Sequence, residues 1–273
     1  MATRRCLIPP YALENGRFDA PLDVARRDEF GVLARAYDRL SHRLEDAQRM
    51  RRRWIAETAH ELRTPLAVLR GQLDGFEDGV RAPSPDNIAL MSRQVHALTR
   101  IVEDLHTLAV ADTGRLSLDV AEVDVGELMG EVFADFETKF RSAGLTPRLA
   151  SATRAVARCD RARLRQVLAN LLENCVRYTD AGGRIDVAVD VEGDEVRVVV
   201  DDSAPGVSAE MRARLGERDL PVNDGARAGH GGAGLGLALS RALLEAQGGR
   251  LDFEASPLGG LRAIVALRTA GDA

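Results

Sequence analysis

Several features are scarce or absent in this chain, and most of these absences narrow what it can be. Among 273 residues there are three cysteines, Cys6, Cys159 and Cys175, far apart in the chain. No CxxC pair exists, and the cysteine–histidine spacings match no zinc pattern. A reducing compartment is the simplest reading. Lysine is nearly absent: of 37 basic residues only Lys139 is a lysine, which reads as coding bias. No stretch reaches about 18 apolar residues, so none of it reads as a membrane span. No apolar signal-peptide core follows Met1. Excess positive charge is also missing. The net charge is −5, which argues against direct nucleic-acid binding. The charge is uneven: residues 1–53 carry 12 arginines against 8 acidic residues, and the remainder 25 basic against 34 acidic.

What is present is a helical half and a mixed half. Apolar residues make up 45 %, enough for a sizeable core, and the length suits one large domain or two ordinary ones. Phe30, Leu33, Tyr37, Leu40 and Leu44 recur at steps of three and four, the spacing of one helix face. A second run, Ile55, Thr58, Leu62, Leu66, Leu69, Leu73 and Phe76, repeats these steps as a near-heptad seam. Gly79 and the segment Arg81–Pro85 stop that helix. Asp86 is the expected cap of the next, which carries Ile88, Met91, Val95, Leu98, Val102, Leu105 and Leu108 and ends before Gly114. The two form an antiparallel hairpin with one apolar stripe. A second copy would cover that stripe most cheaply, giving a homodimer with a four-helix bundle.

From Leu116 the period changes. The pattern predicts strands at 116–120, 156–159, 184–191, 195–200, 251–255 and 261–267, and helices at 125–140, 161–177, 208–215 and 235–246. Asp160 is placed to cap the helix at 161. Gly193-Asp194 and Gly259-Gly260 read as turns. The expected fold is therefore multidomain: an all-α hairpin, then an α+β sandwich with one mixed sheet covered on one side by helices, the boundary near residue 112.

Four clusters carry chemistry. His60 lies within His60-Glu61-Leu62-Arg63-Thr64-Pro65, beside the seam and toward solvent. A neutral imidazole can attack phosphorus, Glu61 can hold its other nitrogen, and Thr64 lies one turn on along the same face. Asn170 and Asn174 are one turn apart in Asn170-Leu171-Leu172-Glu173-Asn174. Their carboxamides can ligate a hard cation such as Mg²⁺ or bond phosphate without adding negative charge. Arg177 offers a phosphate clamp and Tyr178 a ring for a base. Asp202 ends an apolar strand before Ser203-Ala204-Pro205-Gly206, where it can accept from an exocyclic amine of adenine. Gly229, Gly231, Gly232, Gly234 and Gly236 precede a helix whose amides and positive end suit phosphate. This is no Walker A loop, and no strand directly precedes it as a dinucleotide fingerprint would require. His42, His96, His106 and His230 have no comparable setting.

The string His-Glu-Leu-Arg-Thr-Pro-Leu resembles the phospho-acceptor box of bacterial sensor histidine kinases. The asparagine pair, the strand-end aspartate and the glycine cluster, in that order, resemble the N, G1 and G2 boxes of the GHKL-type ATPase domain. His60 and Asn170 are 110 residues apart, as in that family. The resemblance implies ATP and Mg²⁺ as cofactors. It implies His60 as the phosphorylated residue, Glu61 as its orienting base and Thr64 as the residue used in dephosphorylating the partner. It implies Asn170 and Asn174 as metal and phosphate contacts, and Arg177, Tyr178, Asp202, Gly206, Gly232, Gly234 and Gly236 around the nucleotide. Three departures stand out: Ala204 replaces a glycine of the first box, Cys175 replaces a small alanine, and 215–220 lacks the usual lid aromatics.

Pro9, Gly16 and Asp28-Glu29-Phe30-Gly31 resemble a HAMP relay module whose first helix is incomplete. The expected division is 1–47 as a HAMP-like remnant or coiled-coil extension, 48–112 as the dimerisation and phosphotransfer hairpin, and 113–273 as the ATP-binding domain. The expected activity is autophosphorylation of His60 and transfer to an aspartate of a response-regulator receiver domain, with reversal by some members. The competing reading is a non-catalytic dimeric scaffold with a decayed pocket. The expected location is cytoplasmic, reaching the membrane only through a missing or separate N-terminal region of a longer parent.

Overall fold

A computed structural model describes residues 29–151, 154–216 and 235–270. It divides into two compact units, residues 1–59 and 60–273. The HAMP-like landmarks Pro9, Gly16 and Asp28 lie outside the described residues, as does Cys6.

Helix α1 runs unbroken over Glu29–Glu77 and contains Pro65. Proline has no N–H to give to the carbonyl of Glu61, one turn earlier, yet the helix continues for three more turns. Gly79, at φ +67°, ends the run in the left-handed region that a side chain would resist. Helix α2 spans Pro85–Asp112. Its cap is Ser84, whose hydroxyl accepts from the Asn87 N–H, and not Asp86. Pro85 explains the shift: its locked φ suits the first helical position, which makes the residue before it the cap and puts Asp86 in the first turn. The expected apolar stripe is largely bare in a single chain. Leu66 is 58 % exposed, and Ile88, Val95 and Val102 are each at least half exposed.

The rest of this unit is built of β1 (Val120–Asp124), α3 (Val125–Ser142), β2 (Thr146–Ser151), β3 (Val156–Asp160), α4 (Arg161–Tyr178), β4 (Arg184–Glu192), β5 (Glu195–Asp202), α5 (Ala209–Arg214), α6 (Leu235–Glu245), β6 (Arg250–Ala255) and β7 (Leu261–Arg268). Three departures from expectation concern strands. The strand expected at 116–120 is β1 at 120–124, because pairing with β3 starts at Val120↔Asp160 and Val123 is the residue that becomes buried. The single sheet is instead two: a β1–β3 ribbon, and a five-stranded mixed sheet in the order β2-β4-β5-β7-β6. Strand β2, which the sequence pattern did not reveal, is the edge strand and runs parallel to β4; an edge tolerates its Pro147.

Alternation places Ile185, Val187 and Val189 of β4 and Val196, Val198 and Val200 of β5 in the core. Leu164, Leu168 and Leu172 of α4, Leu239 and Leu243 of α6, and Leu128, Met129 and Phe140 of α3 are almost fully buried with them. Asp124 and Asp160 cap α3 and α4, each accepting from backbone N–H groups of the first turn. Asp160 also accepts from the Asp119 N–H, so one carboxylate ties the start of α4 to the chain entering β1. Among the described residues no helix is long and apolar enough to cross a membrane.

Candidate active site

His60 is exposed on α1, as its position beside the seam requires. Thr64 is exposed one turn later, and its hydroxyl donates to the His60 carbonyl at 3.2 Å. Glu61 is half-buried and lies close enough to Asp104 of α2 to act on its charge. Burial raises the Asp104 carboxyl above the ordinary aspartate range. Arg100 and a hydrogen bond from Gln166 pull it down, while Glu103 and Glu61 add to the rise.

Helix α4 carries most of the residues expected at the nucleotide. Asn170 is only 3 % exposed. Its Oδ1 accepts from Arg100 Nη2 of α2 at 2.6 Å, and its Nδ2 donates to the Gly236 carbonyl at 3.4 Å. Asn174, one turn on, has a buried Nδ2 with no hydrogen-bond partner in the protein. Arg177 and Tyr178 are half-buried in the last turn. Gly236 is the second residue of α6, and a methyl placed on it would sit 3.8 Å from the Asn170 amide, in ordinary contact. Gly232 and Gly234 lie outside the described residues, as do 217–220 of the lid segment. On either side of that segment, Arg241 of α6 donates to the Leu215 carbonyl at 2.6 Å.

Asp202 sits at the end of β5, 6 % exposed. Its Oδ1 accepts from the Ala204 N–H at 3.1 Å and the Leu261 N–H at 2.9 Å. The Cys175 thiol reaches toward its Oδ2 at 3.9 Å. Burial holds the Asp202 carboxyl above its ordinary range despite those N–H donors, and the neighbouring Asp201 charge adds to the rise. Burial, then the Asp202 and Asp201 charges, push the Cys175 thiol well up. Ala204 is accommodated: it is buried, and no non-glycine residue among those described has positive φ. Gly206 is exposed; a methyl there would stand 2.9 Å from the Gly259 carbonyl.

Asn170 and Cys175 thus place Gly236 and Asp202 along one helix. Asn170 and Cys175 are five residues apart, about 7.5 Å along the axis. Two participants escaped the sequence reading. Gly260, taken only as a turn residue, lies so close beneath Asp202 that a methyl would fall 2.0 Å from Oδ1. Arg100 is one charge among many on α2, and no local signal marks it. Among the described residues no group of three or more His, Cys, Asp or Glu side chains could hold a metal ion.

Comparison with known proteins identifies the family. The HAMP domain model matches residues 12–46, the His Kinase A (phospho-acceptor) domain 50–114, and the histidine kinase-, DNA gyrase B- and HSP90-like ATPase 159–271. The chain belongs to the sensor histidine kinases of bacterial two-component systems. It is 38 % identical over 264 residues to the signal transduction histidine-protein kinase BaeS of Escherichia coli, covering 97 % of this chain and 56 % of that one. The sensor protein PfeS of Pseudomonas aeruginosa is 34 % identical over 242 residues, covering 88 % of this chain and 52 % of that protein. The chain therefore spans about half the length of these curated relatives. The solved histidine kinase AdeS of Acinetobacter baumannii superposes with a TM-score of 0.64 at 28 % identity, covering 78 % of this chain and 98 % of that one.

Proposed function

We propose that this chain autophosphorylates on His60 at the expense of ATP and passes the phosphoryl group to an aspartate of a response-regulator receiver domain. The observation that carries the reading is the pairing of an exposed imidazole on the hairpin with a second group of residues, Asn170, Asn174, Asp202 and Gly236, gathered along α4. The division of labour follows the same lines: 1–47 as the HAMP-like segment, 48–112 as the dimerising phosphotransfer hairpin, and 113–273 as the ATP-binding domain.

The residues fit the nucleotide and its cation. Asn170 and Asn174 present neutral carboxamides whose oxygens suit a hard cation, and the buried Asn174 Nδ2, which lacks a partner, suits a phosphate oxygen. Mg²⁺ held there would offset the charge on the transferred group. Asp202 keeps Oδ2 free of backbone donors, available to the exocyclic amine of adenine. Arg177 and Tyr178, half-buried at the end of α4, are assigned to the phosphates and the base; Gly206, Gly232, Gly234 and Gly236 are assigned to close backbone approach.

His60 attacks the γ-phosphorus through the imidazole nitrogen that faces solvent. The P–O bond to the β-phosphate breaks and ADP leaves with that electron pair. Glu61 orients the ring by holding its other nitrogen. Thr64, already on the His60 face, positions a water for the reverse dephosphorylation of the partner. The bare apolar stripe of Leu66, Ile88, Val95 and Val102 is the surface on which a second copy completes a four-helix bundle. In a longer parent the N-terminal region would bring this part to the inner face of the membrane.

Incubation with γ-labelled ATP and Mg²⁺ tests the reading. The expected product is an acid-labile, alkali-stable phosphoprotein that is absent in His60→Ala and gives up its label to a receiver domain. Nucleotide binding without any label on His60 would favour the scaffold reading instead.

A further inference from the structure

Helices α2 and α4 meet through two reciprocal polar contacts. Arg100 and Asp104 are one turn apart on α2; Gln166 and Asn170 are one turn apart on α4. Arg100 Nη2 donates to Asn170 Oδ1 at 2.6 Å, and Gln166 Nε2 donates to Asp104 Oδ1 at 3.0 Å. The order reverses between the two helices, so the pairs interlock in antiparallel sense. Helix α2 also packs on α6, the helix that carries Gly236 in its first turn. This is a docking face between the hairpin that carries His60 and the helix that carries the nucleotide asparagines.

Its chemistry conflicts with nucleotide loading. Asn170 Oδ1 is the oxygen a hard cation would use, and a guanidinium already holds it. The amide cannot turn away to help, since its Nδ2 end faces the Gly236 carbonyl and only this orientation satisfies both partners. A divalent cation on the same buried oxygen would stand against the Arg100 charge in a site where water screens poorly. Arg100 has an alternative: its Nε lies 4.0 Å from Asp104 Oδ2, and its side chain is 54 % exposed, so it can leave Asn170 without stranding a charge.

We infer that Arg100, resting on Asn170, is an internal occupant of the cation position, a clasp that holds the ATP-binding domain against the hairpin and that Mg²⁺–nucleotide must displace. The inference rests on the nucleotide site proposed above. It makes nucleotide affinity and domain docking mutually opposed: whatever strengthens the α2–α4 contact weakens Mg²⁺–nucleotide binding, and the reverse.

The test is a binding measurement. Calorimetric titration of the whole chain with a non-hydrolysable ATP analogue, with and without Mg²⁺, is compared for the parent chain and Arg100→Ala. The expected result is about three- to tenfold tighter binding of the Mg²⁺ complex in Arg100→Ala, with a much smaller change for metal-free nucleotide. As a second measure, a short, reducible bis-methanethiosulfonate cross-link between Asp104→Cys and Gln166→Cys in a Cys6→Ser background should form readily without nucleotide, and more slowly with the Mg²⁺ complex. The closed form should bind that complex poorly until reduced. Equal or weaker binding in Arg100→Ala, or a locked form that binds as well as the reduced one, overturns the clasp while leaving the nucleotide site standing. No binding of Mg²⁺–nucleotide by either the parent chain or Arg100→Ala overturns both.

Discussion

Asp201 and Asp202 are adjacent at the end of β5 and send their carboxylates to opposite sides of the sheet. Asp201 grips Arg262 of β7 through two parallel hydrogen bonds of 3.0 and 2.9 Å. Asp202 turns toward α4, where Oδ1 anchors two backbone N–H groups and Oδ2 meets Cys175. Strand alternation explains the split. One residue braces the sheet, and its neighbour is held in place by the loop beyond β5 and the start of β7.

The two oxygens of Asp202 can be separated by substitution. Asp202→Asn keeps an acceptor for the Ala204 and Leu261 amides, so thermal melts should stay close to those of the parent. Nucleotide affinity should fall tenfold or more, about 1.4 kcal/mol at least. Asp202→Ala leaves both N–H groups without their acceptor and should lose about 1–3 kcal/mol of stability for each. Calorimetry of binding together with urea melts checks both.

The raised Asp202 carboxyl sets a pH dependence. Protonation removes the charged acceptor proposed for adenine, so nucleotide affinity should decline as pH falls through a value above the ordinary aspartate range. Stability moves the other way. Folding favours the protonated form of this group, so its contribution improves as pH falls through the raised value. Titrations of binding against pH should show the decline in the parent and lack it in Asp202→Asn.

Asp160 behaves oppositely. Burial pushes its carboxyl up, but N–H donors from Asp119, Arg163 and Ala162, with the Arg163 charge, outweigh this and leave it below the ordinary value. The stability it supplies is present above the unfolded pKa and is lost as pH falls through the lower folded value. Asp160→Ala should cost about 0.5–2 kcal/mol at neutral pH. The difference from the parent should shrink in urea melts carried into acid.

Gly260→Ala should be among the most damaging single substitutions, because its methyl would lie 2.0 Å from Asp202 Oδ1 and 2.5 Å from the Asp202 carbonyl oxygen. A loss of about 3 kcal/mol or more is expected by thermal melt. Gly71→Ala is the control: nothing lies within 4 Å of its methyl, and on a helix it should gain about 0.5–1 kcal/mol.

Both described thiols should be silent in the folded protein. Cys159 and Cys175 are buried; burial, then the Asp160 charge, raises Cys159 to about 11, and Cys175 is raised well above its ordinary value. In a Cys6→Ser variant, a disulfide-exchange reagent at pH 8 should release nothing from the native chain and two equivalents after unfolding in urea.

Much of this was legible in the chain because it is local. The three- and four-residue steps from Phe30 to Leu108 determine two helices and a stripe that one chain leaves bare. The His60 box, the asparagine pair and the strand-ending Asp202 declare a family in short strings. Capping by Asp160 needed only its position before a helical run. The misreadings arose where one element depends on another. Ser84 displaced Asp86 as a cap because Pro85 fits the first helical position. Strand β1 lies at 120–124 because β3 pairs there, and β2 took an edge that its own residues did not advertise. Arg100 against Asn170, Gly260 beneath Asp202 and Cys175 beside the same carboxylate join residues 70, 58 and 27 positions apart. Periodicity reports which face of an element is apolar. Which charge rests on which oxygen is decided only when packing of distant segments excludes water and leaves each polar atom the partners that remain.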